Sequence, residues 1–132
     1  VYNPHMKFSV EKNEKYCLLT LQDDKLTSIL SPEIKSEFVK LNAEGCKNII
    51  LDLTNVKYVD SSGLSAILVG NRLCDNEEGM FILTNAGEHI LKLIKISHLE
   101  SILNILPTVE ESIDAIFMNE LEKNLRAEDK EE

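Results

Sequence analysis

The stretch Asn48-Ile49-Ile50-Leu51-Asp52-Leu53-Thr54-Asn55-Val56-Lys57-Tyr58-Val59-Asp60-Ser61-Ser62-Gly63-Leu64-Ser65-Ala66-Ile67-Leu68 decides how the chain folds. The first half of Asn48-to-Leu53 is nearly apolar on both faces, as in a central strand covered by helices on at least one side. Beyond Asp60 the chain turns through Ser61-Ser62-Gly63, and from Leu64 to about Asp75 the apolar residues recur at helical spacing. Leu64, Ile67 and Leu68 make one stripe while Ala66, Val69, Gly70 and Leu73 make another, so this helix is expected to be buried over a wide arc. Strand, tight turn and helix in succession aim the free amides of a first helical turn, and the positive end of its dipole, at the serines.

Upstream, Met6–Val10 and Tyr16–Leu21 read as two short strands joined by the polar run Glu11-Lys12-Asn13-Glu14-Lys15, a hairpin signal. Leu26-Thr27 adds a brief third strand after the polar turn Gln22-Asp23-Asp24-Lys25. Ser31-Pro32-Glu33 reads as an N-cap hydroxyl before a proline at the first helical position, with Ile34, Phe38 and Leu41 on one helical face and Gly45 as the stop. Downstream, Met80–Thr84 reads as a strand. A short helix then begins near Asn85, with Ile90, Leu93 and Ile94 inward and Glu88, Lys92 and Lys95 outward. Ser101–Leu106 reads as a final strand, with a length that leaves a helix open, and Pro107 closes it. Thr108 and Glu111 form a capping box for a last helix whose inward face is expected to be Ile113, Ile116, Phe117 and Leu121. The order of elements predicts an α/β fold: a mixed four- to five-stranded sheet with two or more parallel crossovers and about four helices. The domain is expected to span residues 6–118, with 119–132 a charged helix end or tail.

A chain of 132 residues, 43% of them hydrophobic, suits one core. Its 14 basic against 23 acidic residues leave a formal charge of −9, which repels phosphate backbones and anionic membrane surfaces. Direct nucleic-acid and membrane binding are therefore not expected. No apolar run approaches the roughly 20 residues needed to span a bilayer. The protein is expected to be cytoplasmic, with Met6 the natural start and Val1–His5 a vector remnant. Cys17, Cys46 and Cys74 are odd in number and lack metal-ligand spacing, so they read as reduced cysteines rather than a disulfide framework or metal site. No cofactor is expected.

Among residues that can carry chemistry, Asp60-Ser61-Ser62-Gly63 stands out. A phosphoryl group here would add roughly −1.5 to −2 charge beside a carboxylate and leave the core intact. An ordinary helix cap has the same composition, since Ser and Asp are favoured N-caps and Gly relieves crowding in tight turns. His89 and His98 have no paired nucleophile and read as surface or capping residues. Ser61 lacks the Gly-x-Ser-x-Gly setting of a hydrolase nucleophile, and no Gly-rich phosphate loop is present. An enzymatic role is not expected.

The run from Ile49 to Leu53, then Val56, Tyr58 and Val59, then Asp60-Ser61-Ser62-Gly63-Leu64-Ser65-Ala66-Ile67-Leu68, resembles the signature of the STAS domain. That domain is shared by anti-sigma factor antagonists and the cytoplasmic ends of sulfate transporters. The similarity extends more loosely from about Met6 to Phe117. It implies an antagonist that binds an anti-sigma factor, itself a serine kinase, and is switched off when Ser61 accepts phosphate; a serine phosphatase resets it. Asp60, Ser62, Gly63, Leu64 and Asp24 are the implied partner-binding residues, on a monomer or weak dimer. One departure is local: where many members carry a Gly-Glu-Leu-Asp-like run, this chain has Asp23-Asp24-Lys25-Leu26-Thr27. The alternative is a STAS scaffold or transport-system subunit without a phosphorylation switch.

Overall fold

The computed structural model describes residues 7–131; Val1–Met6, including the expected start of the first strand, lie outside them. The elements run β1 (Phe8–Lys12), β2 (Cys17–Leu21), β3 (Lys25–Leu26), α1 (Ser31–Ala43), β4 (Ile49–Asp52), β5 (Tyr58–Val59), α2 (Ser61–Asn76), β6 (Phe81–Thr84), α3 (Glu88–Ile96), β7 (Asn104–Leu106) and α4 (Val109–Glu131). Five strands form one sheet in the order β1-β2-β4-β6-β7. The β1–β2 hairpin is antiparallel, and β2–β4, β4–β6 and β6–β7 are parallel. The apolar run of β4 lies in the middle of this sheet, where both faces must be dry.

The alternation of side chains along β4 and β6 divides the core. Ile49, Leu51, Phe81 and Leu83 pack into one large cluster with Ile34 and Phe38 of α1, Ala66 and Ile67 of α2, and Ile90 and Ile94 of α3. Ile50 and Ile82 point the other way and meet Ile116 of α4. All of these side chains are essentially fully buried, and each Leu, Ile and Phe among them stabilises the fold by about 1.5–3 kcal/mol relative to exposure. Phe38 and Phe81 meet edge-to-face at 5.4 Å, wedging α1 onto the sheet.

Four local expectations are corrected. Ser31 is not the N-cap of α1: Leu30 holds that position, and Ser31 lies inside the helix with its hydroxyl donating to the Thr27 carbonyl at 2.7 Å. The last strand is only Asn104–Leu106, because residues 101–103 are a turn. The helix expected from Leu64 already begins at Ser61. Phe117 and Leu121 do not face the sheet; they are 48% and 51% exposed, while Ser112 and Ile116 supply the fully buried contacts of α4. The helix runs without a break through Asn119 to Glu131. At α1 the stop is as read: Gly45 adopts φ +93°, the left-handed region, and the Cys46 amide returns to the Leu41 carbonyl.

Candidate functional site

The strand that delivers Asp60 is not part of the main sheet. Two-residue β5 pairs with two-residue β3 in a separate parallel ribbon, Lys25 opposite Tyr58 and Leu26 opposite Val59. Leu26 and Val59 are buried and tie the ribbon to the core. The Asp24 carbonyl accepts from the amides of Lys57 (2.8 Å) and Tyr58 (3.2 Å), and the Leu26 carbonyl accepts from the Asp60 amide at 3.2 Å. The ribbon thus sets where α2 starts.

At that start Asp60 is the N-cap, in extended backbone, and its carboxylate accepts from the Gly63 amide at 2.9 Å and the Ser62 hydroxyl at 2.6 Å. The Ser62 bond, with the Gly63 amide behind it, holds the Asp60 carboxyl below its usual range. Ser62 Oγ also lies 3.3 Å from Ser31 Oγ, on a helix 31 residues earlier in the chain. Each hydroxyl has one proton. With the Ser62 proton on Asp60 and the Ser31 proton on the Thr27 carbonyl, the 3.3 Å approach is a packing contact, and the bond to Asp60 is what fixes the Ser62 hydroxyl.

Ser61 occupies the first helical position and is exposed. No hydrogen bond of its side chain occurs among those of the described residues. Two adjacent serines therefore differ sharply: the Ser62 hydroxyl is part of the cap, and the Ser61 hydroxyl is free. The first turn of α2 contains no acidic residue, so its amides meet only the capping carboxylate.

Gly63 and Leu64 were expected among the partner-binding residues, but both are buried. A Cβ on Gly63 would collide with the Leu26 carbonyl oxygen and the Val59 side chain. The glycine is there for close approach of α2 to the ribbon, not for a tight turn. Both residues shape the surface from beneath and do not line it. Asp24 is exposed but sits at the far end of the ribbon, three register positions from Asp60, roughly 10 Å along the strand. Thr27 closes the turn into α1, its carbonyl accepting from the amides of Leu30 and Ser31.

Other surface residues around Asp60 carried no partner-binding assignment from the sequence. Ile29, in the turn into α1, is 85% exposed. The Tyr58 ring, 46% exposed, stacks on His89 of α3 at 5.8 Å and 17°. Alternation around β5 was the available signal: Val59 faces inward, so Tyr58 and Asp60 share the outer side. Ile29 had no such signal, because its turn has no period.

Chemistry elsewhere is sparse. No cluster of three or more metal-ligating side chains occurs among the described residues, and no described helix is long and apolar enough to cross a membrane. Cys17, Cys46 and Cys74 are free thiols. Burial pushes the Cys74 thiol up to about 12 and raises Cys46 as well, so neither is poised as a thiolate. A cavity of about 360 Å³ beside the β1–β2 turn, lined by Lys12, Lys15, Glu44, Lys47 and Glu120 among others, opens at the end of the sheet away from Ser61.

Residues 7–112 match the STAS domain. The chain belongs to the STAS domain family. Over 76 residues, 56% of this chain and 68% of the relative, it is 32% identical to an anti-sigma-B factor antagonist of Staphylococcus epidermidis. In fold it is similar to an anti-sigma factor antagonist from Thermotoga maritima, with a TM-score of 0.73 and 22% identity over 83% of this chain and 93% of that one. It is similar also to the Bacillus cell fate determinant SpoIIAA in its phosphorylated form, with a TM-score of 0.66 and 23% identity over 83% and 98%. The single α/β STAS fold, with a five-stranded mixed sheet and four helices, is the architecture expected from the sequence.

Proposed function

We propose that this STAS protein is an anti-sigma factor antagonist whose Asp60–Ser61 edge docks an anti-sigma factor and is switched off by phosphorylation of Ser61. The partner is a serine kinase, a serine phosphatase resets the switch, and the chain itself does no catalysis. The observation that carries the reading is the unequal engagement of the two serines. Ser61 offers an exposed, unbonded hydroxyl on the first turn of α2, whereas phosphorylating Ser62 would break its bond to Asp60 and dismantle the cap.

The consequence of the modification is electrostatic. A phosphate at Ser61 adds roughly −1.5 to −2 charge next to the Asp60 carboxylate. The helix amides stabilise it on the free protein by about 0.3–1 kcal/mol. Against a docked partner, a charge left unpaired costs several kcal/mol. The unmodified edge, with Ile29 and the Tyr58–His89 stack as its apolar elements, suits a dry contact.

The test is incubation with the candidate anti-sigma kinase and ATP, followed by mass spectrometric localisation. Phosphate on Ser61, lost in Ser61→Ala and retained in Ser62→Ala, is the expected result. Phosphate elsewhere, or none with any candidate kinase, overturns the switch and leaves a STAS scaffold.

A further inference from the structure

Helix α4 has two apolar faces. One, built on Ser112 and Ile116 with Ile113 and Ala115, lies on the sheet. The other consists of Phe117, Met118, Leu121 and Leu125, which are 48%, 57%, 51% and 52% exposed. At 3.6 residues per turn these four fall within an arc of about 100°, nearly opposite the sheet-facing side. The outward stripe is therefore no continuation of the core, and the fold does not need it.

The charges on this helix are sorted by face. By the same helical rotation, Glu110, Asp114 and Glu128 lie in line with the stripe, and Glu111, Glu122 and Asp129 border it on one side. Lys123 is turned away, donating to the Glu78 carbonyl and pairing with Glu120 at 3.0 Å. Arg126 lies beyond the acidic border, with its guanidinium 3.4 Å from Glu122. A second copy laid on the stripe in either orientation would bring carboxylates onto carboxylates, and an anionic membrane would meet the same repulsion.

From this arrangement we propose that the outward face of α4 is a second docking surface, for a partner that presents an amphipathic helix with an apolar stripe flanked by Lys or Arg. The apolar stripes pack as in a helix-on-helix contact, and basic flanks neutralise the acidic border. The small area makes the contact transient. Because α4 covers the face of the sheet opposite α2, Ser61 and this surface can be occupied together.

The test uses the full chain and three synthetic helical peptides of about 20 residues. One has Leu at helical spacing with Lys flanks, one has the same Leu with Glu flanks, and one has Lys flanks with Ser in place of Leu. Anisotropy is expected to show binding of the first, at micromolar strength, at least tenfold above the other two. Amide shifts should map to residues 117–125. Leu121→Glu should weaken binding about tenfold or more without lowering Tm, and Ser61→Asp should leave it unchanged. Equal binding of the Ser peptide would reduce the effect to net charge. Binding of the Glu-flanked peptide, shifts at the Asp60 edge, concentration-dependent dimers by light scattering that Leu121→Glu dissolves, or preferential binding to phosphatidylglycerol vesicles would each overturn the proposal. The Ser61 kinase assay is independent of every one of these readouts.

Discussion

Two helices of this protein begin with well-formed side-chain caps, and they use them differently. At α4 the Thr108 hydroxyl accepts from the Glu111 amide at 3.1 Å and lies 3.1 Å from the Glu111 carboxylate, and Glu110 and Glu111 fill the first turn with negative charge. At α2 the Asp60 carboxylate caps, and the next two residues are neutral serines. A further anion at α4 would meet two carboxylates; at α2 it would meet one, with free amides beside it. The same capping chemistry makes one end a closed structural terminus and the other a terminus with room for a phosphate.

The most damaging single change to this contrast is expected at Gly63. Ordinarily Gly→Ala inside a helix is favourable by about 1 kcal/mol, but here the added Cβ meets the Leu26 backbone. Gly63→Ala is expected to destabilise by about 1–3 kcal/mol in a denaturant titration. Gly87→Ala, at the N-cap of α3 with nothing within 4 Å of the new atom, should cost less, about 0.5 kcal/mol, from the N-cap preference alone. Equal effects would mean that α2 does not lean on the ribbon.

Next in size is the loss of either cap. Thr108→Ala is expected to cost about 1 kcal/mol and to have no effect in the kinase assay of the proposed Ser61 switch. Asp60→Ala should lower Tm and, under the same proposal, change the rate measured in that assay, because it releases Ser62. A smaller effect is the acid dependence. The Asp60 carboxyl is held below its ordinary value, so its contribution is complete above the unfolded value near pH 4 and fades as pH falls through the lower folded value. Asp60→Asn should flatten that part of the stability–pH curve, and an unchanged curve would detach the carboxylate from the cap. The smallest effect is at Ser61. Ser61→Ala, and Ser61→Asp, should shift stability by less than about 0.5 kcal/mol, whereas Ser62→Ala should cost about 1 kcal/mol. A large loss at Ser61 would make it part of the cap after all.

Much of this was legible in the chain because it depends on neighbours in sequence. The helix after Asp60, the glycine stop at Gly45 and the Thr108–Glu111 cap each rest on contacts within a few residues, and the strand at Ile49–Leu51 shows itself by its unbroken apolar run. The family likewise follows from one continuous motif. Tertiary structure decided the rest. Ser31 looked like a cap and became a neighbour of Ser62, because only folding brings α1 and α2 side by side. Gly63 looked like a turn residue and became a contact with Leu26, because the β3–β5 ribbon joins residues far apart in sequence. Phe117 and Leu121 looked like core, since periodicity finds an apolar face without saying what covers it. On α4 there are two such faces, and the sheet covers one. Local hydrogen bonds and periods are written in order along a chain, but which surfaces meet is a property of the packed whole.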